Sequence, residues 1–126
     1  MKIPSNVTTI CHDAFSGCES LIEVRLNNVL NTLGPDAFNS CTSLVFIEIP
    51  ASITIVRSGT FYNCTSLKMA VLNDGTTLID EEAFRECNTL ISIIIPNVSI
   101  SPTSNLTQEI FEQSFPTLSN MDITLD

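Results

Sequence analysis

The sequence predicts an α/β repeat solenoid built as a single domain, and three observations predict it. The first is a fixed period of 23 residues, kept by Phe15, Phe38, Phe61 and Phe84, by Cys18, Cys41, Cys64 and Cys87, and by Leu21, Leu44, Leu67 and Leu90. A period of this length marks a chain in which each unit buries its apolar side against the next. The second is a short alternating stretch at the end of every copy, such as Leu21-Ile22-Glu23-Val24-Arg25-Leu26, which reads as a strand with Val24 and Leu26 on one face. The third is the polar filling between the apolar marks, where Ser, Thr and Asn replace charge and suit a fold of short strands and turns.

Taken in order, the first unit is marked by Ile3, Val7, Ile10, Phe15, Cys18, Leu21, Val24 and Leu26. Thr8-Thr9-Ile10 is a second extended piece on the opposite wall. Asp13-Ala14-Phe15-Ser16-Gly17 has the length of one helical turn, with Asp13 placed to cap its free amides. Asp36 and Glu82 share that column, whereas Gly59 does not fit it. The second unit carries Leu30, Leu33, Phe38, Cys41, Leu44, Ile47 and Ile49, and the third Ile53, Val56, Phe61, Cys64, Leu67, Ala70 and Leu72. The fourth has Ile79, Phe84, Cys87, Leu90, Ile93 and Ile95, with Thr76 where the others have an aliphatic residue. Ala70 is smaller than its equivalents and calls for a local adjustment. Equivalent strands should lie about 4.8 Å apart in a parallel sheet, which lines the four phenylalanines into one aromatic spine.

The four repeats cover residues 3–95; residues 96–126 read as a degenerate, capping fifth unit, completing one domain over 1–126. There Leu118, Met121 and Ile123 repeat the strand pattern, but Leu118 follows Leu90 by 28 residues. A helical piece is expected at Thr107-Gln108-Glu109-Ile110-Phe111-Glu112.

The formal charge of −9 is uneven. Residues 1–72 hold five acids against four bases, and residues 73–126 hold nine acids against Arg85 alone. Phosphate backbones and anionic lipid demand the opposite sign, so nucleic acid is not an expected partner. No run approaches the ~18 apolar residues of a membrane helix, so membrane insertion is not expected either. The amino-terminal residues enter a repeat at once, without a signal-peptide hydrophobic region. The expectation is an intracellular chain, or a piece of a longer one with its targeting segment elsewhere.

Candidate chemistry is sparse. The cysteine column would stack one thiol per coil, and neighbours in a flat ladder point in parallel rather than converge on a tetrahedral metal. The coil spacing also exceeds the roughly 3.5–4.5 Å between the Cβ atoms of a disulfide. Packing as small hydrophobes is the expected role. Cys11-His12-Asp13 names three catalytic residue types, but consecutive side chains of an extended segment point apart. Asp80-Glu81-Glu82 lacks the spaced ligands and glycine of a calcium loop. Ser20, Ser43, Ser66 and Thr89 are placed to bond backbone groups at the corner. The glycosylation triplets beginning at Asn6, Asn63, Asn97 and Asn105 arise readily in a chain of this composition and do not decide a compartment. No catalytic, cofactor-binding or metal residues are therefore assigned.

The run from Ile3-Pro4 through Val7, Ile10, Ala14-Phe15, Cys18 and Leu21 to Val24 and Leu26, in four near-complete copies, resembles the BspA-like leucine-rich repeats of bacteria and unicellular eukaryotes. The resemblance implies a right-handed leucine-rich-repeat coil with a parallel β-sheet on its concave side and short strands and single helical turns opposite. It further implies a non-enzymatic module, often at the cell surface or secreted and binding host or matrix proteins. It brings no catalytic motif and no cofactor. The chain departs from the pattern at Asn27-Asn28 and Asn73-Asp74, where Ile-Pro becomes Leu-Asn and looser turns are expected.

With Val24, Leu26 and their equivalents inward, alternation turns Glu23, Arg25, Phe46, Glu48, Met69, Val71, Ser92 and Ile94 outward. Phe46, Met69, Val71 and Ile94 then make an apolar patch rimmed by Glu23, Arg25 and Glu48. Such patches mark interaction sites, and Met and Phe are enriched in interface cores. The expected function is recognition of a protein or peptide, with adhesion as one form of it; the alternative is a structural spacer in a longer protein.

Overall fold

A computed structural model of the protein describes residues 1–73, 75–76, 78–80 and 82–95, with residue 95 and a last strand, Asp122–Leu125, described by backbone alone. The principal sheet has four strands, β3 (Phe46–Ile49), β5 (Met69–Leu72), β7 (Ser92–Ile95) and β8 (Asp122–Leu125), in that spatial order and all parallel. Phe46 pairs with Met69 and Met69 with Ser92, Glu48 with Val71 and Val71 with Ile94. The 23-residue period is thus the strand register. On the second wall β1 (Thr9–Ile10) pairs with β2 (Thr32–Leu33), and β4 (Ile55–Val56) with β6 (Leu78–Ile79), again in parallel.

The first unit does not form the strand expected over Leu21–Leu26. Only isolated bridges occur there, Lys2 to Arg25 and Glu23 to Phe46. The last strand is also shifted. Its backbone sets Ile123 opposite Ile93 and Leu125 opposite Ile95, whereas the sequence pattern had set Met121 and Ile123 there. The helical piece expected at residues 107–112 and the sequons at Asn97 and Asn105 lie outside the described residues.

No helix occurs among the described residues, so the single helical turns are corrected to successions of tight turns. The backbone explains this. Within a coil the bonds span three residues, as in Cys18 N to Phe15 O at 3.2 Å and Leu21 N to Cys18 O at 3.1 Å. The remaining donors reach across to the next coil. Phe15 N donates to Ala37 O at 2.8 Å, Phe38 N to Thr60 O at 2.9 Å and Phe61 N to Ala83 O at 2.8 Å. Amides spent between coils are unavailable for the i to i−4 ladder of a helix. Left-handed residues bracket the segment as well. Asp13 has φ 58°, Asp36 57° and Gly59 71° in one column, and Gly17 74°, Ser40 60°, Asn63 60° and Glu86 63° in another. Asp13 therefore does not cap a helix. Three of the column's four places, Asp13, Asp36 and Gly59, hold residues that tolerate a left-handed backbone, and Gly59, the apparent misfit, satisfies the same demand.

One core runs the length of the described coils, through Ile10, Leu33, Val56 and Ile79 on one wall and Val24, Ile47, Ala70 and Ile93 on the other. Ala70 is fully buried. The phenylalanine spine forms as expected: the ring centroids of Phe15–Phe38, Phe38–Phe61 and Phe61–Phe84 are 5.3, 5.6 and 5.1 Å apart, with interplanar angles of 10°, 2° and 17°. Phe38, Phe61 and Phe84 are completely buried, and Phe15, with a neighbour on one side only among the described residues, is half-buried. The Asn27 turn is tied down rather than loose. Its amide donates to Pro4 O at 2.6 Å and Val7 O at 2.9 Å, and its Oδ1 accepts from Val29 N at 2.9 Å. Three bonds replace the rigidity of proline.

Candidate interaction surface

Strands β3, β5 and β7 alternate sides, burying Ile47, Ile49, Ala70, Leu72 and Ile93 while Glu48 and Met69 face out. Phe46, Val71 and Ile94 are half-buried, and Met69 is 37% exposed. Register sets Phe46 beside Met69 and Val71 beside Ile94, so the structure brings the four apolar candidates onto neighbouring strands. Their polar neighbours are partly neutralised. Arg25 Nε lies 3.1 Å from Glu23 Oε1, and Asn73 Nδ2 donates to Glu48 Oε2 at 3.1 Å. Glu23, Arg25, Asn28, Phe46, Glu48 and Asn73 are among the residues lining a hollow of about 410 Å³ at the first two coils.

A second apolar column beside this face escaped the strand pattern. Ile22 is 64% exposed, Val45 39% and Ile91 58%, and Lys68 holds the fourth place. The backbone joins these positions in one row, with Val45 N donating to Ile22 O at 3.1 Å, Lys68 N to Val45 O at 2.8 Å and Ile91 N to Lys68 O at 3.0 Å. Strict alternation from Val24 would have turned Ile22 inward. The chain instead rounds a corner, with Ile22 and Glu23 both outward and Leu21 and Val24 at least half-buried. The readable signal was Lys68: a cation in the column excludes that column from an apolar core.

The cysteine column lies on the inside. Cys41, Cys64 and Cys87 are buried free thiols, and Cys18 is half-buried. Each buried thiol donates to the phenylalanine carbonyl of the preceding coil: Cys41 Sγ to Phe15 O and Cys64 Sγ to Phe38 O at 3.2 Å, Cys87 Sγ to Phe61 O at 3.0 Å. This explains why the column is cysteine and not alanine or valine. The residue must be small and apolar, and its thiol adds a second donor to a carbonyl already bonded by the cysteine amide of that carbonyl's own coil. Burial first, and then the neighbouring Cys64 thiol, push the Cys41 thiol up to about 12. The Cys64 thiol is also raised, chiefly by its hydrogen bond with Cys87 and then by burial. Thiols held in the protonated form are poor nucleophiles and poor metal ligands.

Elsewhere the corner residues are structural. Thr89 Oγ1 donates to Thr65 O at 2.8 Å and Leu67 O at 3.0 Å, as its column predicted. Asp80 Oδ2 accepts from Ser58 N at 3.0 Å, and Glu82 pairs with Arg85 at 3.2 Å; Glu81 lies outside the described residues. His12 and Asp13 do not diverge as an extended segment would require. The left-handed turn at Asp13 leaves His12 Nε2 3.3 Å from Asp13 Oδ2. No helix among the described residues is long and apolar enough to cross a membrane.

Comparison with known proteins agrees with this architecture. A comparison with curated proteins gives no match. Among solved structures, a leucine-rich cell surface protein from Faecalibacterium prausnitzii superposes with a TM-score of 0.81 at 29% identity, over 100% of this chain and 31% of its own. A leucine-rich repeat protein from Bacteroides ovatus gives 0.76 at 27% identity, over 94% of this chain and 28% of that one. The leucine-rich repeat protein of T. pallidum gives 0.57 at 26%, over 75% and 57%. The chain thus spans about a third of the first two proteins and somewhat over half of the third. The BspA-type leucine-rich repeat region matches residues 1–118 in six copies. With a parallel sheet in 23-residue register, a stacked phenylalanine spine and that match over nearly all of its length, the chain belongs to the BspA-type leucine-rich repeat family.

Proposed function

We propose that the protein is a non-enzymatic recognition module that docks a protein or peptide on the outer face of its principal sheet. In this reading the sheet lines the concave side of a right-handed solenoid, and residues 96–126 complete the same domain as its cap. Phe46, Met69, Val71 and Ile94 form the centre, Glu23, Arg25 and Glu48 the rim, and Ile22, Val45 and Ile91 extend the apolar area around the corner. The observation that carries the reading is the row Ile22, Val45, Lys68, Ile91 beside β3, β5 and β7, in which three aliphatic side chains stand 39–64% exposed. Exposed apolar side chains gathered on successive coils, as opposed to scattered singly, mark interaction surfaces. The cell-surface protein of similar fold supports a place for such a module at the cell surface.

The test is binding to a panel of immobilised matrix and cell-surface proteins, comparing the wild type with Met69→Glu and Ile91→Glu. Both positions are exposed, so both variants should keep the wild-type unfolding midpoint and lose capture. Equal capture by wild type and both variants would rule this face out, and the absence of any ligand for the wild type would favour the spacer reading.

A further inference from the structure

We propose that His12, Asp13 and Asp36 form a zinc site that clips the first coil to the second. One ligand atom of each residue lies within 4.8 Å of the other two. His12 Nε2 is 3.3 Å from Asp13 Oδ2 and 3.7 Å from Asp36 Oδ2. Charge-assisted hydrogen bonds between nitrogen and a carboxylate run about 2.7–2.9 Å, so neither contact is a good one. Zinc bonds nitrogen and carboxylate oxygen at roughly 2.0–2.2 Å, and a regular tetrahedron with those bonds sets its ligands about 3.3–3.6 Å apart. The 3.3 Å spacing falls in that range and the 3.7 Å spacing just beyond it, both nearer to co-ligands than to hydrogen-bond partners.

The fold prepares the set. Asp13 and Asp36 occupy the same place in successive coils, both left-handed, so the two carboxylates are carried to one corner. Among the described residues, the only basic side chain paired with either carboxylate is His12 itself. Asp36 is held from behind. Its Oδ1 accepts from Asn39 Nδ2 at 2.8 Å, and its carboxylate sits where a Cβ on Gly59 would stand, so the absence of a side chain there makes its seat. This orients Oδ2 toward His12, the work of an outer-shell partner. The residues 23 and 46 positions beyond His12 are Pro35 and Ser58, so the full donor set occurs at this corner only among the first three coils. One nitrogen and two oxygens suit zinc; calcium takes six to eight oxygens. His12 and Asp13 are exposed and Asp36 is half-buried, which leaves the fourth position to water. A metal here joins ligands from two coils and therefore stabilises their stacking.

The experiment is calorimetric titration of the full chain with zinc chloride, and with magnesium chloride as control, alongside thermal unfolding with and without zinc. One zinc per chain and a raised unfolding midpoint are expected, with no response to magnesium. His12→Ala and Asp36→Asn should abolish both effects while leaving the metal-free midpoint unchanged. Asn39→Ala should weaken binding by about 10–100-fold. Cys11→Ser should bind as the wild type does. No zinc uptake by the wild type, undiminished uptake by His12→Ala, or uptake abolished by Cys11→Ser would each overturn the assignment.

Discussion

Replacing Phe61 by alanine removes a side chain enclosed on both sides within the spine. Its ring is fully buried, with Phe38 at 5.6 Å on one side and Phe84 at 5.1 Å on the other. Truncation of a buried phenylalanine costs roughly 3–5 kcal/mol, part of it from the cavity that remains. Two stacked neighbours hold that cavity open, so a cost of about 4–5 kcal/mol is expected. Phe15 is half-buried and has one ring contact, at 5.3 Å, so its truncation should cost about 2 kcal/mol. A domain's whole stability is about 5–15 kcal/mol, which puts Phe61→Ala near the threshold of folding. Urea unfolding followed by far-ultraviolet circular dichroism measures both variants, and Phe61→Leu, which keeps most of the volume, should recover all but about 1.5 kcal/mol. Equal costs for Phe15→Ala and Phe61→Ala would refute the reasoning, since a ring's position in the stack would then be irrelevant.

Two further outcomes follow from buried polar groups. The Cys41 thiol is neutral when protonated and is raised from an ordinary 9.0 to about 12 in the folded chain. Above pH 9 the unfolded chain sheds this proton and the folded chain keeps it, so stability is full below pH 9 and falls as pH climbs toward 12. Urea midpoints from pH 7 to 11 should show that decline, with a shallower slope in Cys41→Ala; identical slopes would contradict it. Thr76 is buried in a column of aliphatic residues, and its hydroxyl finds no hydrogen-bond partner among the described residues. Thr76→Val should therefore raise stability by about 1 kcal/mol in the same assay, and a loss would mean that the hydroxyl is satisfied.

The fold was legible because a 23-residue period and a parallel register are the same fact seen in one and three dimensions. Phe15, Phe38, Phe61 and Phe84 could be placed in a column before any coordinate, and so could Phe46, Met69, Val71 and Ile94 on neighbouring strands, though of these four only Met69 is exposed. What failed was local conformation. Asp13 and Asp36 were read as helix caps because a capping oxygen and a left-handed backbone favour overlapping residue types. Gly59 separates the two readings, since only the left-handed one requires it. Alternation failed at the corner, where Ile22 and Glu23 face the same way and the period-2 rule no longer holds. Asn27 was read by its lack of ring constraint, and two of its three hydrogen bonds depend on carbonyls 20 and 23 residues earlier. The contact of His12 with Asp36 is likewise a product of stacking, invisible along the chain.

Every assignment on the sheet face rests on coil lying over coil in a single register. Nuclear Overhauser contacts among selectively labelled phenylalanine rings measure that directly. The centroid separations of 5.1–5.6 Å predict contacts for Phe15–Phe38, Phe38–Phe61 and Phe61–Phe84, and none for Phe15–Phe61 or Phe38–Phe84. A contact between rings two coils apart, or silence between consecutive rings, would contradict the stacked solenoid and with it the surface it presents.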